Sequence, residues 1–325
     1  MKSIRFLILA FLFLLAAYFP AHAQFKDEPT DESAKGGATL GESLKEYWES
    51  GMEITAGGGE CKNIRAVIPV PTNWKEQKVK VVKEEVSSYA KISFKDVAGG
   101  GKMMWVTIAR LPNQEKAVVK LRYEVECFAT EAPEDTTGYK KADIAKHPKV
   151  KLYLQPSPKI ESKDKKIVEV AKTIGKDAGN AWEEVEAIYD WVRAEIKYEK
   201  CPLKGALAAF KDKTGDCEEM SSLFIAICRA RGIPARVVWV PGHCYAEFYL
   251  ADRAGVGHWF PCQTAGDRAF GEMPFQYIIL QKGDSFESPL EKSGLKRYLP
   301  VEMKGDYMAG KPKVKFTTEK VGAEN

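Results

Sequence analysis

The sequence predicts an α+β chain in which a small β-sandwich precedes a domain of helices followed by strands. Three observations carry that expectation. Residues 52–128 hold short runs rich in Val, Ile and aromatics, punctuated by clusters such as Gly99-Gly100-Gly101 and Pro112-Asn113. After Ser162, apolar residues recur at three- and four-residue spacing, the period of a helix. From Arg236 to Gln263 the texture returns to strands. Helices first and strands after them fit an α+β domain better than a wound α/β one.

The length of 325 residues suggests two domains. A hydrophobic content of 45% with 11% aromatics can build a core, which excludes wholesale disorder. Residues 1–23 form an address segment. Lys2 and Arg5 supply a basic start, Phe6 to Phe19 is almost continuously apolar, and Ala21-His22-Ala23 is a small-x-small cleavage site. The apolar run is short for a span of about 20 residues. The mature chain is therefore expected to be periplasmic or secreted, with no stable membrane insertion after cleavage. Of the 49 basic residues, Lys2 and Arg5 leave with the leader, so 47 face 45 acidic ones. A net charge of +2 gives no basis for a nucleic-acid partner.

Residues 24–51 are polar and Gly-rich and read as a flexible arm with a short helical patch at Leu44 to Trp48. The sandwich domain is placed at 52–130, with strands at Val79–Val82, Tyr89–Phe94, Met104–Ile108 and Val118–Val125. Cys61 and Cys127 lie near its ends and could staple it, a link worth about 3–4 kcal/mol. Residues 131–159, with Pro133, Pro148, Pro156 and Pro158, read as a linker. The second domain is placed at 160–285. Its first helix carries Ile167, Val170, Ala171 and Ile174, and its second runs about Ala181 to Ile196. Residues 286–325 read as a solvated C-terminal tail.

The stretch Thr214-Gly215-Asp216-Cys217-Glu218-Glu219-Met220 carries the most chemistry. Asp216 suits an N-cap and Glu219 completes a capping-box-like pair. Leu223, Phe224, Ile227 and Cys228 follow at helical spacing, and Gly232 with Pro234 ends the helix. Cys217 is then the first helical residue, beside unpaired N–H groups and the positive end of the dipole, which favour a thiolate. Glu218 and Glu219 oppose that, so a nearby cationic imidazole is required.

His243 is placed to supply it. Strands around His243 to Leu250 and Val256 to Gln263 pair consistently if residue numbers sum to 506. His243 then faces Gln263 on one side and Cys244 faces Cys262 on the other. That register predicts a Cys244–Cys262 disulfide on the side away from His243. The same alternation argues against a zinc site built from His243, Cys244, His258 and Cys262, because neighbours point apart. The seven Cys form an odd set, so an exported chain leaves at least one thiol without a partner inside the chain. Cys201 has no evident partner, and Cys228 reads as a core residue.

These residues resemble the transglutaminase-like superfamily of papain-type cysteine enzymes over about residues 150–285. The resemblance rests on Tyr153-Leu154-Gln155-Pro156-Ser157-Pro158, Ile188-Tyr189-Asp190-Trp191-Val192, the Gly215-Asp216-Cys217 block and the run Leu223 to Arg236. It continues in His243-Cys244-Tyr245-Ala246-Glu247, similar to H-x-W-x-E, and in Trp259-Phe260-Pro261-Cys262-Gln263, where members carry W-x-P-x-D. The resemblance implies a papain/transglutaminase-like core of helices packed on an antiparallel sheet. It implies Cys217 as nucleophile, His243 as base and position 263 as the residue that orients the imidazole. Gln263 replaces the usual Asp, so it can accept the imidazole N–H but brings no charge. Asp267 is a weaker substitute. The Cys217 backbone N–H is the expected oxyanion donor, with Tyr198 and Trp239 as candidates for a second. The implied partner is a protein or peptide substrate, with no cofactor and no metal. Amide acyl transfer through a Cys thioester is the implied chemistry, with peptidase or amidase action favoured over cross-linking. A non-catalytic scaffold for peptide or cell-wall polymer is the alternative. A thiol–disulfide partner protein lacks the C-x-x-C motif.

Overall fold

The computed structural model describes residues 36–97, 100–291 and 294–323. The leader expected at 1–23 and the start of the arm lie outside the described residues. Six strands open the fold: β1 (Thr39–Thr55), β2 (Cys61–Val70), β3 (Gln77–Val86), β4 (Ala90–Asp96), β5 (Lys102–Leu111) and β6 (Lys116–Glu131). Four helices follow: α1 (Lys165–Thr173), α2 (Ala181–Glu195), α3 (Ala206–Asp212) and α4 (Cys217–Ala230). After them come β7 (Ala235–Val240), β8 (His243–Ala251), β9 (Gly257–Gln263), β10 (Glu302–Tyr307) and β11 (Lys313–Val321).

The expected sandwich forms from two four-stranded antiparallel sheets, ordered β11-β1-β6-β3 and β10-β2-β5-β4. Alternation drives it. Val119, Leu121, Tyr123 and Val125 of β6 point inward in every second position, against Ile64, Ala66 and Ile68 of β2 and Met104, Val106 and Ile108 of β5. All these side chains are fully buried, and each large one contributes about 1.5–3 kcal/mol.

Three expectations fail here. Leu44 to Trp48 are not helical; they lie within β1, whose long pairing with β6 runs from Thr39↔Glu131 to Thr55↔Lys116. Their polarity reflects a half-exposed sheet face rather than a loose arm. Nor are residues 302–321 a solvated tail, because β10 and β11 add an edge strand to each sheet. Cys61 and Cys127 are both free and buried, so no staple closes the sandwich.

In the second part, α4 packs on an antiparallel sheet built around β9-β8-β7, with α1, α2 and α3 against its other sides. From Glu219 to Arg229 every residue of α4 is buried. Leu223, Phe224 and Ile227 meet Phe248 and Phe260 from the sheet in one apolar core. The helix ends in a Schellman arrangement: Gly232 at φ 76° donates to the Arg229 carbonyl and Ile233 to that of Cys228. This is the α+β fold expected, helices packed on an antiparallel sheet beside a sandwich.

Buried charge joins the two parts. Lys282 pairs with Glu247 of β8 at 2.6 Å and also with Glu76 of the sandwich, while Arg236 takes the other Glu247 oxygen at 2.7 Å. The buried Gln77 amide accepts from the Ile279 N–H and donates to the Ile279 carbonyl.

Candidate active site

Asp216 adopts an extended backbone and its carboxylate accepts the Glu218 N–H at 2.8 Å, so α4 begins at Cys217. Glu219 does not close the expected capping box. Its carboxylate meets the Asp216 side chain and accepts the N–H groups of Lys204 (2.9 Å) and Gly205 (3.3 Å) and the Cys201 thiol (3.6 Å), holding the segment before α3 against the helix start. Burial, then the hydrogen bond to Glu219, raises the Asp216 carboxyl to about 6. Burial opposes ionisation of Glu219 too, yet the Lys204 N–H and its other donors keep that group below its ordinary range.

Gly215 is required by this close approach, since a Cβ there would lie 2.4 Å from Glu219 Cβ. Gly215→Ala is expected to push the first turn of α4 outward. It should slow alkylation of Cys217 by iodoacetamide at about pH 6 by roughly tenfold or more, because small misplacements of a reacting group are costly. An unchanged rate would contradict this reading of the turn.

The tight Val240↔His243 hairpin, with Pro241 and Gly242 (φ 70°) in the turn, sets His243 at the head of β8. Its imidazole contacts the Cys217 sulfur, and its Nε2 lies 3.0 Å from Gln263 Oε1. The Gln263 amide is itself oriented: Nε2 donates to the Asp267 carbonyl at 3.1 Å, so Oε1 faces the imidazole and accepts from it. That fixes the tautomer with Nε2 protonated and leaves Nδ1 for Cys217. The Gln263 backbone is pinned from α2, where Tyr189 OH donates to its carbonyl at 2.8 Å and Arg193 does so at 3.2 Å. Asp267, expected as a substitute for Gln263, acts on it through its backbone carbonyl.

The strand register differs from expectation by two. Ala246 faces Cys262 and Leu250 faces His258, so paired numbers sum to 508. Asp252 is the cause. Its carboxylate accepts the Ala254 and Val256 N–H groups, both at 2.9 Å, and closes the loop over Asp252–Val256. A slip of two preserves the faces, so His243 and Gln263 still meet, now on a diagonal. Cys244 and Cys262 share a face but are not opposed, and both are free. The expected disulfide between them is absent.

Cys244 instead turns towards α4. Its thiol hydrogen-bonds the Cys217 sulfur and lies 3.9 Å from Ser221 Oγ, one turn further along the helix. This hydrogen bond is the foremost cause of a Cys217 acidity near pKa 4; burial opposes it, and the hydrogen bond and charge of His243 add to it. Burial alone would lower His243, but its bonds to Cys217 and Gln263 leave it above its ordinary value. Both shifts favour a thiolate–imidazolium pair.

The segment expected as a tail also reaches the site. Arg297 is buried and donates to Glu218 (3.2 Å) and Ser222 Oγ (2.7 Å), and Tyr298 OH donates to Glu218 at 2.5 Å. The Glu218 charge that would oppose a thiolate at Cys217 is thus paired. Trp239 is removed as an oxyanion donor, because its N–H donates to the Gly283 carbonyl at 2.8 Å. Tyr198 stays half-exposed, close enough to feel the Cys217 charge. Beside it, Met220, Thr264, Ala265 and Gly266 line part of a recess of about 540 Å³. The zinc set is not assembled: His258 pairs with Asp252 at 3.0 Å and Cys262 is buried in the core.

No curated protein matches the chain. A candidate cysteine protease from Cytophaga hutchinsonii has a similar fold, with a TM-score of 0.54 at 13% identity, covering 89% of this chain and 94% of that one. A candidate protease from Parabacteroides distasonis ATCC 8503 overlaps loosely, with a TM-score of 0.26 at 15% identity over 68% of this chain and 43% of that one. Residues 168–264 match the model of the transglutaminase-like superfamily, so the segment that carries Cys217, His243 and Gln263 is transglutaminase-like.

Proposed function

We propose that the protein is an exported cysteine enzyme that cleaves or transfers amide acyl groups, with peptides or proteins as substrates. One observation carries this reading: the Cys217 sulfur meets an imidazole whose far nitrogen is held by a Gln263 amide that is itself oriented. The Cys217 thiolate attacks the amide carbonyl, and the oxyanion that forms lies beside the Cys217 N–H at the start of α4. The His243 imidazolium gives its proton to the departing amine as the C–N bond breaks. Water then attacks the thioester with His243 as base, releasing the acid and restoring the thiolate. Gln263 lacks the charge of an Asp, but the thiolate itself stabilises the imidazolium, as in Cys-His-amide arrangements. The name of the similar Cytophaga hutchinsonii structure supports peptide substrates at a coarse level.

The leader and an aqueous compartment favour hydrolysis over cross-linking, because water competes with any amine acceptor. Incubating the purified protein with a glutamine peptide and a fluorescent amine tests this. Ammonia or new peptide termini without amine incorporation are expected. Incorporation that outpaces hydrolysis would replace the peptidase reading with a cross-linking one. No turnover of any peptide or amide, with Cys217 nevertheless reactive, would favour a scaffold in which the cleft only binds.

A further inference from the structure

All seven thiols are free, and the proposed reaction uses only Cys217. Cys61 and Cys127 are buried in the sandwich, and Cys228 and Cys262 in the helix–sheet core. Cys201 faces the Glu219 carboxylate, and burial with that charge makes its thiol hard to ionise. Cys244 differs from all of these. It is the second residue of β8, buried at 2% exposure, with its sulfur directed at the first turns of α4, where Cys217 and Ser221 lie.

We propose that Cys244 is a resolving thiol: hydrogen peroxide oxidises Cys217, and a reversible Cys217–Cys244 disulfide then closes and switches the site off. This rests on the reading of Cys217 as the reactive nucleophile. Cys217 is half-buried, so a small oxidant reaches it, whereas Cys244 is buried. The Cys217 thiolate attacks one peroxide oxygen. The O–O bond breaks, and the leaving hydroxide takes the His243 proton to become water, leaving a sulfenic acid at Cys217. The Cys244 sulfur attacks the Cys217 sulfur, its proton passes through His243 to the departing hydroxyl, and the S–O bond breaks as a second water leaves. Two thiols and one peroxide thus give one disulfide and two waters. The two sulfurs are neighbours, with Cys244 Sγ 3.9 Å from Ser221 Oγ one turn beyond Cys217, and must close to about 2.05 Å; Cys217 sits at the helix end, where the fewest backbone bonds resist a shift. A dithiol reductant reverses the bond and is itself oxidised. Without Cys244, the sulfenic acid would be open to further, irreversible oxidation.

Peptide mapping without reduction, after exposure to hydrogen peroxide, reads this directly. Trypsin leaves Cys217 in the peptide 214–229 and Cys244 in 237–253. The two peptides are expected to appear linked, with fragmentation placing the bond at Cys217 rather than Cys228. Dithiothreitol should then restore most of the lost iodoacetamide reactivity. Cys244→Ala and Cys244→Ser should show no link, accumulate sulfinic acid at Cys217 and fail to recover. Should either variant misfold, the map of the native protein still decides the matter. Sulfinic acid at Cys217 with Cys244 free in the native protein, or a Cys217–Cys201 link, would overturn the proposal. A native Cys217 that resists iodoacetamide at about pH 6 would sink the nucleophile reading as well; a reactive Cys217 with no Cys244 link sinks only the switch.

Discussion

His243→Ala is expected to lower kcat for peptide or amide hydrolysis by about 10⁴-fold or more, with a much smaller change in KM, because base and nucleophile act as one unit. The loss has two sources. Without the imidazole, Cys217 forfeits an ion-pair partner that lowers its pKa, and the leaving amine forfeits its proton donor. The Cys244 hydrogen bond remains, so the residual thiol should titrate above about 4 yet below an ordinary one. Hydrolysis of a peptide substrate by the purified variant checks this; a loss under tenfold would remove His243 from the reaction.

The second large effect concerns stability. Arg229 on α4 and Asp284 form an ion pair at 2.8 Å with both side chains 1% exposed. Arg229 also donates to the carbonyls of Gln155 and Ala235, and Asp284 accepts the Ser157 hydroxyl. The pair ties the lead-in before α1, the end of α4 and the start of β7 to one point. Asp284→Ala leaves a guanidinium buried without a counter-ion, which should cost about 3–5 kcal/mol. Urea denaturation followed by far-UV circular dichroism measures it. A loss below about 1 kcal/mol would mean that water or another acid replaces Asp284.

What could be read from the residues depended on how local the cause was. The N-cap at Asp216, the Gly232 stop and the periodicity of α1 and α2 are set by neighbours in sequence, and each is found where expected. β1 was misread because its outward residues are polar and its inward ones become visible only against β6. The β8–β9 register slipped by two because Asp252 closes the loop with a side chain that alternation does not register. Faces survive such a slip, so the meeting of His243 with Gln263 and Cys217 follows from the sequence, whereas the cysteine pairing does not. Arg297 and Tyr298 come from about 80 residues beyond Glu218 and carry no pattern that announces their target.

The proposed chemistry requires Cys217 to be ionised near neutrality. The sign follows from its partners. A lowered thiol pKa stabilises the folded protein above the ordinary thiol range, and that contribution is lost as the pH falls through about 4. The raised imidazole stabilises it below about 6.5, and that contribution is lost as the pH rises through its folded value. Reactivity that needs both ions should therefore rise near the first limit and persist to beyond the second. The rate of Cys217 alkylation by iodoacetamide against pH, followed by mass of the 214–229 peptide, is the direct measurement. A rise centred near pH 4 is the result expected. A single rise centred at about 8.5, the behaviour of an ordinary thiol, would contradict the account.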